Sequence, residues 1–153
     1  MIMAFLSGVS VIKFKRLQKL SPDDKEILRT MQLHCLPDDE PYFPKNGWWW
    51  VGLDQRQVVA FCLVIPSSQW SDTAYLARSG VMPAWRGNGL QKRMVTIREQ
   101  FAKKRGYRWM ITDTTDNPAS ANSLISRGYK LYKPRNPWGY EITLYWRKRL
   151  RKD

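Results

Sequence analysis

The string Arg86-Gly87-Asn88-Gly89-Leu90 holds the residue types best suited to chemistry in this chain. Two glycines stand one residue apart, an arginine precedes them, and apolar residues at helical spacing follow. Glycine lets the backbone take positive φ and lets a ligand approach the main chain closely. The first N–H groups of a helix have no internal partner, and the helix dipole places positive potential there. A strand from Thr73 to Val81 should feed the loop, and a helix from Leu90 to about Lys104 should leave it. Such an arrangement is suited to holding a phosphate or pyrophosphate.

Spacing excludes two common anion-binding motifs. A dinucleotide fingerprint needs a third glycine three residues after Gly89, where Lys92 stands. A nucleotide-triphosphate loop needs a Gly-Lys-Ser/Thr ending, and no such string occurs. What remains, Val81-x-Pro83-x-x-Arg86-Gly87-x-Gly89-Leu90, resembles the signature of the GNAT N-acetyltransferases, Gln/Arg-x-x-Gly-x-Gly/Ala. The match falls on Ala84 to Gly89, with Ala84 at the position usually held by Gln or Arg. A second segment, Asn117 to Tyr129, resembles the family's later helix, which runs from an Asn to a Gly-Phe or Gly-Tyr pair, here Gly128-Tyr129.

The resemblance extends from Val9 to about Arg147. It implies an α/β fold, a single GNAT-like domain over residues 1–153 with a mixed, mostly antiparallel central sheet flanked by helices. It implies an acetyl-CoA-dependent N-acetyltransferase moving an acetyl group from a bound thioester directly to a primary amine. Acetyl-CoA would be held by Val81, Arg86, Gly87, Asn88, Gly89 and Leu90, with a backbone N–H at Val81 as oxyanion donor. Asn117 would contact the pantetheine arm. Lys92 and Arg93 either reach the adenosine-end phosphates or solvate their helix.

Acetyl transfer requires the amine to lose a proton, since a lysine amine titrates near about 10.4 and an α-amine near about 7.7 to 8.0. The family's usual tyrosine position falls on Leu124, and a position often holding an acid falls on Thr112. Asp113 is the nearest titratable residue, and the expectation is that it deprotonates the amine directly or through water. The competing role is that Asp113 or Asp116 caps the Asn117 helix. Tyr129 and Tyr132 either protonate the departing thiolate or pack their strands. On the acceptor side, Trp48, Trp49, Trp50 and Trp138 form an aromatic wall or join the core. Asp38-Asp39-Glu40 receives a cationic amine or stays solvated, and His34 ends a helix or acts as a base.

The elements that must position these groups follow from periodicity. Val9 to Arg16 alternates as a strand. Ser21-Pro22-Asp23-Asp24 opens a helix carrying Ile27, Leu28 and Met31 on one face. Leu36 to Asn46 is a loop or broken helix. Trp48 to Leu53 and Val58 to Ile65 form a hairpin across residues 54–57. The helix after the glycines places Leu90, Met94, Ile97 and Phe101 on one stripe, with Lys92, Gln100 and Lys103 away from it, and Gly106 ends it. A strand from Tyr107 to Thr112, the Asn117 helix, and strands near Tyr129 to Tyr132 and Tyr140 to Trp146 complete the order.

The 153 residues are 43% hydrophobic, which places the chain among globular proteins. Met1 to Val11 reads as the lead-in to a strand rather than a leader, and no run approaches the ~20 apolar residues of a membrane span. Cys35 and Cys62 fit reduced thiols in the cytoplasm. With one histidine and two cysteines, no metal site is expected. The net charge of +13 favours an acidic protein, a phosphorylated small molecule or an aminoacyl-tRNA as the amine-bearing partner, with a homodimer left open. The basic run Arg147 to Lys152 is a solvated terminus or a contact for nucleic acid, acidic protein or cofactor phosphates. The alternative function is a catalytically degenerate CoA-binding or basic nucleic-acid-binding protein.

Overall fold

The computed structural model describes residues 11–151. Seven strands occur in chain order: β1 (Lys13–Leu17), β2 (Trp48–Asp54), β3 (Gln57–Pro66), β4 (Thr73–Val81), β5 (Trp109–Thr115), β6 (Lys130–Tyr132) and β7 (Thr143–Arg149). Three helices join them: α1 (Pro22–Cys35), α2 (Leu90–Lys104) and α3 (Pro118–Ser126). The strands form a mixed sheet in the order β1-β2-β3-β4-β5-β7-β6. β4 and β5 are parallel, whereas β1–β2, β5–β7 and β6–β7 are antiparallel. Among the described residues no helix is long and apolar enough to cross a membrane. Two compact units are distinguishable, residues 11–63 with Arg78–Gln91, and Val64–Ala77 with residues 92–151.

In the first unit, Val9 lies outside the described residues, and β1 starts at Lys13 and pairs through Leu17 with Trp49. The β2–β3 hairpin turns through Gln55-Arg56, with Gln55 at φ 56. Its core is Trp49, Trp50, Val51, Val59, Phe61 and Leu63 with Leu28 and Met31 from α1, all buried. Ile27, expected on the same face, is 39% exposed. Ser21 caps α1 and Asp24 returns the bond to the Ser21 N–H, a full capping box. The 36–46 segment is a loop held from beneath by Gln32, which is fully buried. Gln32 Oε1 accepts from the Tyr42 N–H (2.9 Å) and from Arg78 Nη1 (2.9 Å), and its Nε2 donates to the Tyr42 carbonyl (3.2 Å). That buried amide was not legible from periodicity.

In the second unit both helices end alike. Gly106, at φ 92, donates to the Lys103 carbonyl, and Tyr107 N–H reaches back to Ala102. Gly128, at φ 90, donates to Ile125, and Tyr129 N–H reaches back to Leu124. These are paired Schellman closures, the second sealed by buried Leu124 and Tyr129. The first explains why β5 starts at Trp109 and not Tyr107: the Tyr107 N–H still belongs to the helix end. β7 likewise starts at Thr143, because Thr143 N–H closes a turn onto the Tyr140 carbonyl. The buried stripe of α2 is Leu90, Met94, Val95, Arg98 and Ala102, with Ile97 and Phe101 only half-buried. Arg98 is accommodated by donating its Nε to the Met94 carbonyl (3.1 Å). Within the basic run, Arg147, Lys148 and Arg149 are strand residues paired with Ile111, Met110 and Trp109, and Arg147 and Arg149 stay exposed.

Candidate functional site

In the first unit the glycine loop is braced from below. Met82 N–H donates to the Val59 carbonyl (2.8 Å), a single 3₁₀ turn spans Pro83–Trp85, and Trp85 Nε1 donates to Asp54 Oδ2 (2.8 Å). Arg86 Nε donates to the Val81 carbonyl (3.0 Å) and Asn88 Nδ2 to the Trp85 carbonyl (3.0 Å). Gly87 and Gly89 sit at φ 82 and φ 74, and a Cβ at either would meet nothing within 4 Å. Backbone conformation, not crowding, therefore demands glycine, and the space over the loop is open to a ligand. Buried Leu90 plugs the start of α2, whose first turn carries no acid. Helices ordinarily place acids there to offset the dipole; here that potential is left for another anion.

Val81, Arg86, Gly87, Asn88, Gly89 and Leu90 are thus one continuous structure. Arg86 does more inside it than its expected outward role: its Nε ties the loop to the strand end, and its guanidinium borders Cys35. Burial pushes the Cys35 thiol up, and Arg86 opposes the shift. Behind the loop a Cβ on Gly80 would lie 2.5 Å from Cys35 Cβ and 2.7 Å from the Phe61 ring, so α1 packs directly on the strand here.

In the second unit Asp113 sits on β5, and neither it nor Asp116 caps α3. Asn117 does so itself, accepting from the Ser120 N–H (3.1 Å). Asp113 Oδ2 instead accepts two bonds, from the Tyr75 hydroxyl and from Trp138 Nε1 (2.8 Å). Trp138 meets Tyr145 edge-on with centroids 4.6 Å apart, and Tyr75 edge-on at 6.2 Å. Gly139 N–H donates to the Tyr145 hydroxyl (2.8 Å), fixing the loop that carries Trp138. Of the four tryptophans considered for an acceptor wall, Trp49 and Trp50 are core. Trp138, 39% exposed, stands at the Asp113 cluster.

The two positions where family acid–base groups were expected are closed. Thr112 is buried and donates to the Leu76 carbonyl (3.0 Å), and Leu124 is buried. Tyr129 is unavailable as a proton donor: its hydroxyl donates to Glu99 (2.7 Å), and burial followed by Glu99 pushes it far above the ordinary tyrosine range. Burial also raises Tyr132, whose enclosed hydroxyl has no hydrogen-bond partner among the described residues. Tyr75 and Tyr145 were missed in the sequence. Alternation marks them as strand residues but does not reveal that register sets them around one carboxylate.

The Acetyltransferase (GNAT) family model matches residues 16–129. A comparison with curated proteins gives no match. Among solved structures, the chain resembles an aminoglycoside 6'-acetyltransferase type Ii at 18% identity and TM-score 0.76, over 92% of this chain and 99% of that one. It resembles the ribosomal-protein-S18-alanine N-acetyltransferase of Escherichia coli at 13% identity and TM-score 0.73, covering 94% and 96%. It resembles a Bacillus subtilis acetyltransferase in complex with CoA at 12% identity and TM-score 0.67, covering 90% and 97%. At these identities the structural likeness speaks for the fold, and the family match spans most of the sequence. The chain belongs to the GNAT acetyltransferase family.

Proposed function

We propose that this protein is an acetyl-CoA-dependent N-acetyltransferase acting on a primary amine. One observation carries the reading: two positive-φ glycines under open space, leading into a helix whose first turn holds no acid. That loop fits the pyrophosphate of acetyl-CoA through backbone N–H groups and the helix dipole. Gly87, Asn88, Gly89 and Leu90 would hold it, with Arg86 shaping the loop and adding charge, and Asn117 at the pantetheine arm. The family and the CoA bound by the Bacillus subtilis neighbour support that choice of donor.

When bound, acetyl-CoA supplies the thioester. The amine nitrogen forms a bond to the acetyl carbon, the carbon–sulfur bond breaks, and the amine's proton ends on the thiolate. The Val81 N–H is the proposed oxyanion donor. Asp113 is the proposed base, because Thr112 and Leu124 offer no titratable group and Tyr129 is committed to Glu99. Tyr75 and Trp138 both donate to its Oδ2, which fixes the carboxylate and would leave Oδ1 for the amine.

Thermal melting with acetyl-CoA, free CoA, ATP and NAD tests the reading, alongside a Gly87→Glu/Gly89→Glu variant. A rise specific to the two CoA compounds and absent in the variant is expected. A folded wild-type protein that melts at the same temperature with and without CoA would refute it and favour the basic nucleic-acid-binding alternative.

A further inference from the structure

The sheet face that carries Asp113 carries a second, oppositely charged feature one row away. Across the β5–β7–β6 ladder, Asp113 pairs with Tyr145 and Tyr145 with Tyr132, so these three side chains form a row on one face. The next row on that face is Ile111, Arg147 and Lys130, and the one beyond it contains Trp109 and Arg149. Arg147 is exposed, and its guanidinium lies over two rings, Tyr132 at 5.0 Å and Trp109 at 5.4 Å. No ion pair to Arg147 is present among the described residues. The Glu99 carboxylate is taken by Lys148, which alternates to the opposite face of the strand, with Arg127 and Tyr129.

Stacking on two rings fixes a guanidinium's plane while leaving its N–H edge for a planar or tetrahedral anion. Lys130, in the same row, adds a second positive charge. Asp113 itself has a spare oxygen: Tyr75 and Trp138 both donate to Oδ2. An acceptor spanning the two rows meets a carboxylate and a guanidinium in succession.

We propose that the acceptor is a primary amine carrying an anionic group, its ammonium docked at Asp113 and its phosphate or carboxylate at Arg147. This rests on the N-acetyltransferase reading and adds to it the substrate class. Two residues along a strand separate the rows, so the amine and anion lie roughly 7–10 Å apart.

The test uses aminoalkyl phosphates of three to eight methylenes beside amino alcohols of equal length, with ω-amino carboxylates to tell the two anions apart. Each is assayed with the full-length protein and with Arg147→Met and Arg147→Lys. At the best length, kcat/KM for one anionic series should exceed the alcohol by about 10- to 100-fold, the scale of a charge-assisted hydrogen bond. That ratio should fall to near one in R147M and survive in part in R147K. Melting without donor supplies a second readout: the aminoalkyl phosphate should raise the melting temperature of the wild type and not of R147M, while the CoA shift persists in both. A ratio near one in the wild type, or a ratio and a phosphate shift both unchanged in R147M, overturns the proposal. Arg147-dependent melting shifts without acetylation of any series would sink the transferase reading and leave the anion site standing.

Discussion

At the residue scale, two carboxylates in the second unit illustrate opposite uses of the same group. Glu99 is saturated, accepting from Tyr129 at 2.7 Å and pairing with Lys148 at 3.2 Å and Arg127 at 3.7 Å. Burial and then Glu99 drive the Tyr129 hydroxyl upward. An unfolded tyrosine ionises near about 10, so above that pH the unfolded chain releases a proton that the native state retains. The stabilisation is therefore complete below pH ~10 and is lost as pH rises, by about 1.4 kcal/mol per pH unit while the native hydroxyl stays protonated. Chemical denaturation of wild type and Tyr129→Phe from pH 8 to 11 should show a shallower alkaline decline in the variant. Parallel slopes would mean Tyr129 is not the group responsible. Asp113, by contrast, has a free oxygen and aromatic neighbours. Asp113→Asn keeps an acceptor for Tyr75 or Trp138 but removes the base, so kcat/KM should fall about 100-fold or more. The melting response to CoA should be retained. An unchanged rate would end its catalytic role.

At the scale of elements, legibility tracked how local the determining forces are. The Ser21 cap, the 73–81 strand and the Leu90–Lys104 helix were readable to the residue because caps, alternation and helical spacing lie within a few positions of one another. The Asn117-to-Tyr129 motif also has a local cause: an N-cap at one end and a Schellman glycine at the other. What periodicity hides is contact at long separation. Register placed Tyr75, Asp113 and Tyr145 around one spot, and pairing with β5 drew Arg147, Lys148 and Arg149 of the basic run into strand β7. Gln32 belongs to this second kind. It sits in an amphipathic helix as an unremarked polar residue, yet three hydrogen bonds from its amide hold the 36–46 loop and Arg78. Gln32→Leu would leave the Tyr42 backbone groups and one Arg78 N–H without these partners, at roughly 1–3 kcal/mol. Amide exchange of residues 37–42 should quicken in that variant more than exchange in β2 and β3. Equal protection of the loop in both proteins would show that the amide is incidental.

At the scale of the whole molecule, 26 basic side chains face 13 acidic ones, twice as many cations as acids. Some lie over aromatic faces, as Arg78 does on Tyr42 and Arg147 on Tyr132. Such stacking holds a guanidinium in place without cancelling its charge, so the field of +13 persists outside the protein. A polyanionic donor entering that field is drawn in faster than diffusion alone allows. The attraction decays over a Debye length of about 10 Å at 0.1 M salt and about 3 Å at 1 M. With a saturating neutral amine, kcat/KM for acetyl-CoA should drop by about an order of magnitude between 0.05 and 0.5 M potassium chloride, while kcat moves little. Stopped-flow binding of CoA should place that loss in the association rate. If the rate constant stays flat across the salt series, the charge serves something other than donor capture, and the rows of cations on β6 and β7 become its principal candidate users.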